Sequence, residues 1–285
     1  MLAVDQTDDP IEDWPDPDFD IAELLPRRDP KVDEASTKLL EFMEANPDEV
    51  FYEMQLEVIF EDAFFHWITV KALAQLRNAG SIGSSIQILD DVGHIRYYFC
   101  NKNRYWKRKA AEIRKLVEQF SRSAFTSALG QQGEMLVDAG LPNVGFLPKA
   151  RDVRAFAGTE WTETKHNLDR IFEKDGVLYD TEIKNRLSYI SQNEFYIKLK
   201  MCEKLGVRPL FIARMMPRSY VYELFKKRGF ALLMKYQFYP FGSESFAAEV
   251  RGRLALPVDC PKRLEEGTLQ RLLKYHNHVV ADLRH

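Results

Sequence analysis

Charged and apolar residues alternate along residues 177–184, and this alternation constrains the fold more than any other feature of the sequence. Successive side chains of a β-strand point to opposite faces of a sheet, so Asp180, Glu182 and Lys184 share one face. The other face carries Val177, Tyr179, Thr181 and Ile183. The segment therefore predicts a strand with three charged groups above an apolar layer. A charged face of this kind also occurs on the edge strand of a sheet.

An apolar run at residues 168–172 precedes this strand, and the turn residues 173–176 (Glu-Lys-Asp-Gly) join the two. Hairpin pairing would bring Asp169 near Glu182. Mg²⁺ held by carboxylate oxygens makes water nucleophilic at neutral pH, and a second ion can clamp the leaving oxygen. A lysine beside the metal can orient or deprotonate the water and stabilise charge on the phosphate. Two carboxylates and one lysine on adjacent strands are thus the minimum set of groups for phosphodiester hydrolysis.

The spacing of Asp169 and Glu182-Ile183-Lys184 resembles the D...(D/E)-x-K signature of the PD-(D/E)XK, or restriction-endonuclease-like, nuclease superfamily. Residues 127–214 follow the order of that superfamily's core: a helix, the hairpin, a further helix and another strand. Asn167-Leu168 stands where proline often precedes the aspartate. The resemblance implies an α/β (α+β) domain with a mixed sheet flanked by helices. It also implies catalysis by Asp169, Glu182 and Lys184 with Mg²⁺ as cofactor and Mn²⁺ as an alternative ion.

The resemblance extends to three further residues. Glu134, on the helix before the hairpin, matches an acidic residue that many members use as an additional metal ligand, although an ordinary surface glutamate is the alternative. Gln192 and Tyr196 fit the Q-x-x-x-Y element of the RecB-like branch and are expected to support the active site. Asp175 and Asp180 remain alternative carboxylates.

Helical patterns followed by two β-like runs occupy the chain after its first segment. The patterns cover residues 35–46, 52–60, 64–78 (or 69–78), 82–89 and 94–100. Three helices and a hairpin are the order of a winged helix, whose third helix enters the DNA major groove. Such modules also serve in dimerisation or protein docking. The residues expected to contact DNA are Thr69, Lys71, Gln75, Arg77, Asn78 and Arg96.

Charge is distributed unevenly along the chain. Residues 1–34 hold twelve Asp or Glu and three Lys or Arg, a net charge of −9; since the whole chain carries −3, the remainder carries +6. With its five prolines, the first segment predicts an acidic flexible tail. The basic remainder suits a polyanionic partner, because cationic side chains on phosphates release condensed counterions. A net charge of this size is also common in soluble domains that bind no polyanion.

Three regions follow from these patterns: an acidic tail (1–34), a winged-helix domain with a basic linker helix (35–120) and a nuclease domain with a C-terminal helix (121–285). The sequence has no stretch of about 18 apolar residues, and its start lacks the pattern of a secretion signal. We therefore expect a soluble, cytoplasmic protein with no membrane partner. Nucleotide-binding glycine motifs and nucleophile elbows are absent.

These predictions favour a Mg²⁺-dependent endonuclease that hydrolyses DNA in restriction or genome defence, since Mrr-like proteins also place a winged helix before such a domain. A repair or junction-resolving nuclease is the first alternative. The second is a non-catalytic DNA-binding regulator on a nuclease-like scaffold. Cleavage of both strands needs two active sites, so we expect double-stranded DNA and a homodimer.

Overall fold

The structure is a computed structural model that describes residues 29–89 and 93–281. Most of the predicted acidic tail lies outside the described residues, as does the turn at 90–92. The first helix begins at Pro30, five residues before the predicted start at 35. The Asp29 side chain accepts a hydrogen bond from the Lys31 N–H, and proline at the first helical position needs no donor there, so both residues favour this earlier start.

Three helices and a small sheet form the N-terminal part. Its elements are α1 (Pro30–Ala45), β1 (Val50–Tyr52), α2 (Glu53–Ile59), α3 (His66–Asn78), β2 (Gly83–Leu89) and β3 (Gly93–Phe99). The sheet order is β1-β3-β2, with both neighbours antiparallel to β3. The predicted helices and hairpin are confirmed, whereas β1 was not predicted. Apolar side chains of all three helices share one core, among them Leu39, Met43, Leu56 and Leu73.

Two consecutive helices, α4 (Trp106–Ser121) and α5 (Ser123–Gly140), lead from this part to the central sheet. A single hydrophobic cluster joins β1 and β3 to α4, to the start of α5 and to α8 (Glu244–Leu254) near the C-terminal end of the chain. The core therefore crosses the boundary predicted at residue 120.

A five-stranded mixed sheet forms the centre of the C-terminal part. It consists of β4 (Leu147–Val153), β7 (Leu168–Lys174), β8 (Val177–Lys184), β9 (Arg208–Ala213) and β10 (Phe230–Leu233) in the order β10-β9-β8-β7-β4. The pairs β4–β7 and β7–β8 are antiparallel, and β8–β9 and β9–β10 are parallel. The predicted mixed sheet is confirmed. Because β8 is its middle strand, the charged residues of β8 do not lie on a sheet edge.

Helices cover both faces of this sheet, as expected. On one face, Phe172 and Tyr179 share a core with Leu136 of α5 and Leu272 of α9 (Glu266–Ala281). The other face carries α6 (Gln192–Leu205) and α7 (Arg218–Lys226), where Phe195 and Leu224 pack with apolar residues of β9 and β10. The remaining elements of the described residues are a short 3-10 helix (Leu141–Val144) and four short strands, β5 (Ala155–Phe156), β6 (Thr159–Glu160), β11 (Gln237–Phe238) and β12 (Val258–Asp259). Among the residues described, no helix combines the length and apolar character needed to span a membrane.

Candidate active site

The hairpin β7–β8 brings Asp169, Glu182 and Lys184 together on the face of the sheet that α6 covers. The two strands pair antiparallel, and the Ile183 N–H donates a hydrogen bond to Asp169 Oδ2 at 3.0 Å. This bond fixes the Asp169 carboxylate against β8. The residues of the predicted signature are therefore neighbours in space.

Glu182 lies between two lysine ammonium groups. Its side chain is fully buried; Lys184 Nζ is 2.6 Å from Glu182 Oε1, and Lys198 Nζ is 2.6 Å from Oε2. Burial raises the pKa of the Glu182 carboxyl, and the Asp169 charge raises it further, while the two lysines lower it. The buried Glu182 carboxylate, with the partly exposed Asp169 carboxylate nearby, requires cations beside it.

Two residues of α6 complete the cluster, and the sequence analysis did not identify either of them. Lys198 Nζ lies 3.5 Å from Asp169 Oδ1 and donates a short hydrogen bond to the Asn167 carbonyl. Glu194 Oε1 forms an ion pair with Lys184 Nζ at 2.9 Å. The two residues are four apart, so they lie on the same side of the helix. Lys198 could have been found from the sequence, because it is a charged residue among the apolar residues on the buried side of α6.

The ion pairs form a chain of alternating sign. Its members are Asp169, Lys198, Glu182, Lys184, Glu194 and Arg186. Burial alone would lower the pKa of Lys184, but the charges of Glu182 and Asp169 outweigh it and raise the pKa above its usual range. Lys184 is therefore held as an ammonium group, which can donate hydrogen bonds to a phosphate oxygen but cannot accept a proton.

Asp180 is on the same face of β8 but stands apart from this chain. It is completely buried, and its Oδ2 accepts a weak hydrogen bond from the Cys202 thiol at 3.4 Å. Burial, followed by the nearby Glu182 charge, raises the pKa of Asp180 well above its usual range. Among the described ion pairs, none joins Asp180 to Lys184 or Lys198, whereas Glu182 contacts both lysines, so Glu182 is the carboxylate of β8 that belongs to the cluster.

Glu134 is not brought to this site, contrary to the prediction. Its carboxylate pairs with Arg170 Nη2 at 2.6 Å and with Arg151 Nη2 at 3.5 Å. Arg170 follows Asp169 in β7, and side chains alternate along a strand, so Arg170 and Glu134 lie on the α5 face while Asp169 lies on the α6 face. The separation follows from the sheet itself, which stands between the two groups.

Gln192 and Tyr196 also lie away from the carboxylates, on the exposed side of α6. The Tyr196 side chain is 39% exposed and its ring contacts those of Phe195 and Tyr220. Glu194 and Lys198, rather than Gln192 and Tyr196, are the residues of α6 that contact the cluster.

One of the predicted DNA contacts, Thr69, is wrong. Its side chain is fully buried on the inner side of α3, together with those of Ala72, Leu73 and Leu76. Residues at this spacing share the apolar side of a helix, so the hydroxyl of Thr69 cannot reach a phosphate or a base.

The remaining predicted DNA contacts are at least partly exposed. Lys71 Nζ lies over the Trp67 ring at 4.7 Å. Gln75 Nε2 donates to Asp33 Oδ1 at 3.1 Å, the guanidinium of Arg77 donates to Asn78 Oδ1, and Arg96 Nε is 3.8 Å from Glu53 Oε2. These contacts are all at the surface and can exchange for phosphate contacts at small cost.

The segment between β8 and α6 packs against the start of α3. Tyr189 lies in the segment between β8 and α6, and its ring is 4.8 Å from the His66 ring and 6.1 Å from the Phe65 ring. His66 is the first residue of α3, and Phe65 directly precedes it. The N-terminal and C-terminal parts are therefore in contact at this segment.

The donor set of the cluster suits Mg²⁺. Asp169 and Glu182 offer carboxylate oxygens, which are the ligands that this hard cation prefers. No group of three or more His, Cys, Asp or Glu side chains arranged to hold a metal occurs within residues 29–89 and 93–281. Two carboxylates are sufficient for Mg²⁺, because it usually takes its other ligands from water and substrate phosphates.

No protein-family model matches the chain, and no curated protein matches it either. Among solved structures, it is similar to the crystal structure of a repair endonuclease from Pyrococcus abyssi, at 14% identity over 54% of this chain and 64% of that one, with a TM-score of 0.26. It is also similar to the structure of the EndoMS-dsDNA2 complex, at 14% identity over 53% and 65% of the two chains, with a TM-score of 0.24. The similarity spans just under two thirds of each of these chains. Such TM-scores do not establish a common fold, so the site residues alone support the function proposed below.

Proposed function

We propose that this protein is a divalent-metal-dependent endonuclease that hydrolyses phosphodiester bonds in DNA. The observation that carries the proposal is the convergence of Asp169, Glu182 and Lys184 on one face of the hairpin β7–β8, with carboxylate oxygens and an ammonium group in direct contact. Asp169 and Glu182 would hold Mg²⁺, or Mn²⁺ in its place. The bound ion supplies a nucleophilic water and stabilises charge on the phosphate.

Two other groups of the protein would orient the metal ligands and stabilise the charge on the phosphate. The hydrogen bond from the Ile183 N–H orients the Asp169 carboxylate before substrate arrives. Lys184, held as an ammonium group by Glu182 and Glu194, donates to the phosphate oxygen on which negative charge builds.

The N-terminal part would act as a winged-helix module that places duplex DNA across the site. The order of its elements supports this proposal, as do the exposed Lys71 and Gln75 on α3 and the partly exposed Arg96 on β3. Restriction or genome defence is the proposed setting, with repair or junction resolution as the alternative. Cleavage of both strands would be made by a homodimer, which sedimentation of the full chain with and without duplex DNA can test.

The proposal is tested by incubating the full chain with plasmid, single-stranded and branched DNA in Mg²⁺ or Mn²⁺. We expect cleavage by the wild-type protein, and its loss in Glu182→Ala and Lys184→Ala. Glu203→Ala is the matched control, because it removes an exposed carboxylate of α6 whose ion pair with Lys227 is at the surface. If the two site variants cut as well as the wild type, the site assignment is wrong.

One observation favours a second candidate function, that of a DNA-binding regulator without catalysis. Glu182 is fully buried and both its oxygens contact lysines, so the cluster can also serve as a purely structural ion-pair network. Binding of duplex DNA without cleavage of any substrate, in either metal, would support the regulator over the nuclease.

A further inference from the structure

We infer that Lys198 is a built-in competitor for the metal: its ammonium group neutralises the Asp169–Glu182 pair in the free protein and must leave before a divalent ion can bind there. The inference rests on the proposed function, since it concerns the same carboxylates. It adds a regulatory step that the catalytic residues alone do not imply.

The contacts of Lys198 carry the inference. Its Nζ lies 2.6 Å from Glu182 Oε2 and 3.5 Å from Asp169 Oδ1, so one cation touches both carboxylates. Its side chain is only 4% exposed, and the Asn167 carbonyl holds the same ammonium group from a third direction. A cation enclosed by three oxygen-bearing groups has the surroundings that a hard metal ion seeks.

Lys184 does not have this position. Its Nζ contacts Glu182 Oε1 and Glu194 Oε1, so it pairs with one member of the carboxylate pair and with a glutamate of α6. Lys184 can keep the Glu194 contact when a metal binds. The described ion pairs of Lys198 are those with Asp169 and Glu182, so both of its acidic partners are proposed metal ligands.

The chemistry of lysine suits a group that must be displaced. A lysine carries a compact charge on a flexible four-carbon stem, so it can swing away without disturbing the helix that bears it. The free protein should therefore bind divalent ions weakly. An approaching phosphate, itself negative, would attract the displaced ammonium group and so favour metal binding when substrate is present.

The test measures Mn²⁺ binding to the full chain by isothermal titration calorimetry, without DNA. Lys198→Gln removes the charge but keeps a donor for the Asn167 carbonyl. We expect it to bind Mn²⁺ at least about tenfold more tightly than the wild type, because one close charge contact changes an equilibrium constant by this much or more. Lys200→Gln, which removes an exposed lysine from the same helix, should bind like the wild type.

A second variant guards against misfolding of the first. Lys198→Arg keeps the positive charge and pairs well with carboxylates, so it should bind Mn²⁺ no more tightly than the wild type. Unchanged or weaker binding by Lys198→Gln, or tighter binding by Lys198→Arg, would overturn the inference. Thermal unfolding gives an independent readout: Mn²⁺ should raise the midpoint of Lys198→Gln more than that of the wild type.

Failure of this inference and failure of the proposed function are distinguishable. Metal-dependent DNA cleavage by the wild type with unchanged Mn²⁺ affinity in Lys198→Gln would keep the nuclease and reject the competitor. Tighter Mn²⁺ binding in Lys198→Gln, without cleavage of any DNA by the wild type, would keep the competitor and reject the nuclease.

Discussion

Glu61 and Arg214 lie 153 positions apart in sequence, yet their side chains form two parallel contacts, Oε1–Nη1 at 2.6 Å and Oε2–Nη2 at 2.7 Å. Arg214 directly follows β9, whose last residue pairs with Lys184. Its Nη2 also donates to the Leu187 carbonyl at 2.9 Å. This bidentate pair therefore fixes the segment between α2 and α3 to the end of the sheet where the candidate site lies.

Replacing Glu61 by glutamine should destabilise the fold by about 3 kcal/mol, because removal of one partner leaves the guanidinium of Arg214 buried without a counter-charge. The Arg214 side chain is only 4% exposed. Urea unfolding measures the change. Glu223→Gln is the control, since its pair with Lys226 is at the surface and should contribute less than about 1 kcal/mol. Equal losses in the two variants would contradict the buried-pair account.

The two carboxylates of β8 should differ sharply in their effect on cleavage. Glu182→Gln removes a proposed metal ligand and should lower DNA cleavage at least about 100-fold. Asp180→Asn replaces a carboxyl whose described hydrogen bond is with the Cys202 thiol, away from the two lysines, and should leave cleavage near the wild-type rate. Single-turnover cleavage of plasmid DNA makes the comparison. A severe loss in Asp180→Asn, with its fold intact, would show that Asp180 belongs to the site.

Stability should fall as the pH rises through the titration of His66. Burial alone would lower the pKa of His66, but hydrogen bonds to Glu57 and Glu61 outweigh it and raise the pKa above 6.5. A raised folded-state pKa means that the stabilisation is complete below the unfolded pKa and is lost as the pH rises through the folded one. The urea midpoint of the wild type should therefore drop more between pH 6 and pH 8.5 than that of His66→Gln.

The control for this comparison is His94→Gln, because His94 is exposed on β3. It should follow the wild-type pH profile. Identical profiles for the wild type and His66→Gln would exclude His66 as the titrating group.

Gly133 allows α5 to approach the end of β8 closely, and alanine there should destabilise the protein by about 1–3 kcal/mol. An added Cβ would lie 2.8 Å from the Asn185 Cβ and 3.3 Å from Ile183 Cγ2. Gly130→Ala, one turn earlier in the same helix, meets nothing within 4 Å and should stabilise by about 0.5–1 kcal/mol. Thermal unfolding of the two variants should therefore shift in opposite directions; a shift of both in the same direction would refute the close approach.

The parts of the fold that the sequence predicts well are those with a strong local pattern. The hairpin β7–β8 combines alternation with an Asp-Gly turn, and its bounds match those expected to within about two residues. By contrast, β4 was missed because most of its side chains are exposed and it lies at the sheet edge, so no alternation marks it. The small strand β1 has only three residues, all buried, and its pairing with β3 depends on contacts remote in sequence.

The site divides in the same way. Asp169, Glu182 and Lys184 could be predicted because their spacing is fixed by a hairpin. The place of Glu134 could not, because it depends on which face of the sheet α5 packs against. Lys198 reaches the carboxylates through the packing of α6, although its position among apolar residues marked it as unusual for a lysine.

The hydrophobic cluster that joins β1, β3, α4, α5 and α8 limits how this chain could be divided by evolution or by proteolysis. A catalytic half that was separated near residue 120 would expose the apolar side of α8, and a liberated N-terminal half would expose the inner side of its small sheet. Replacing either piece by an unrelated domain would also require substitutions in the apolar surface of the piece that remains. The DNA-binding and cleaving parts proposed here therefore stabilise each other through one shared core, and cutting the chain between them should destabilise both.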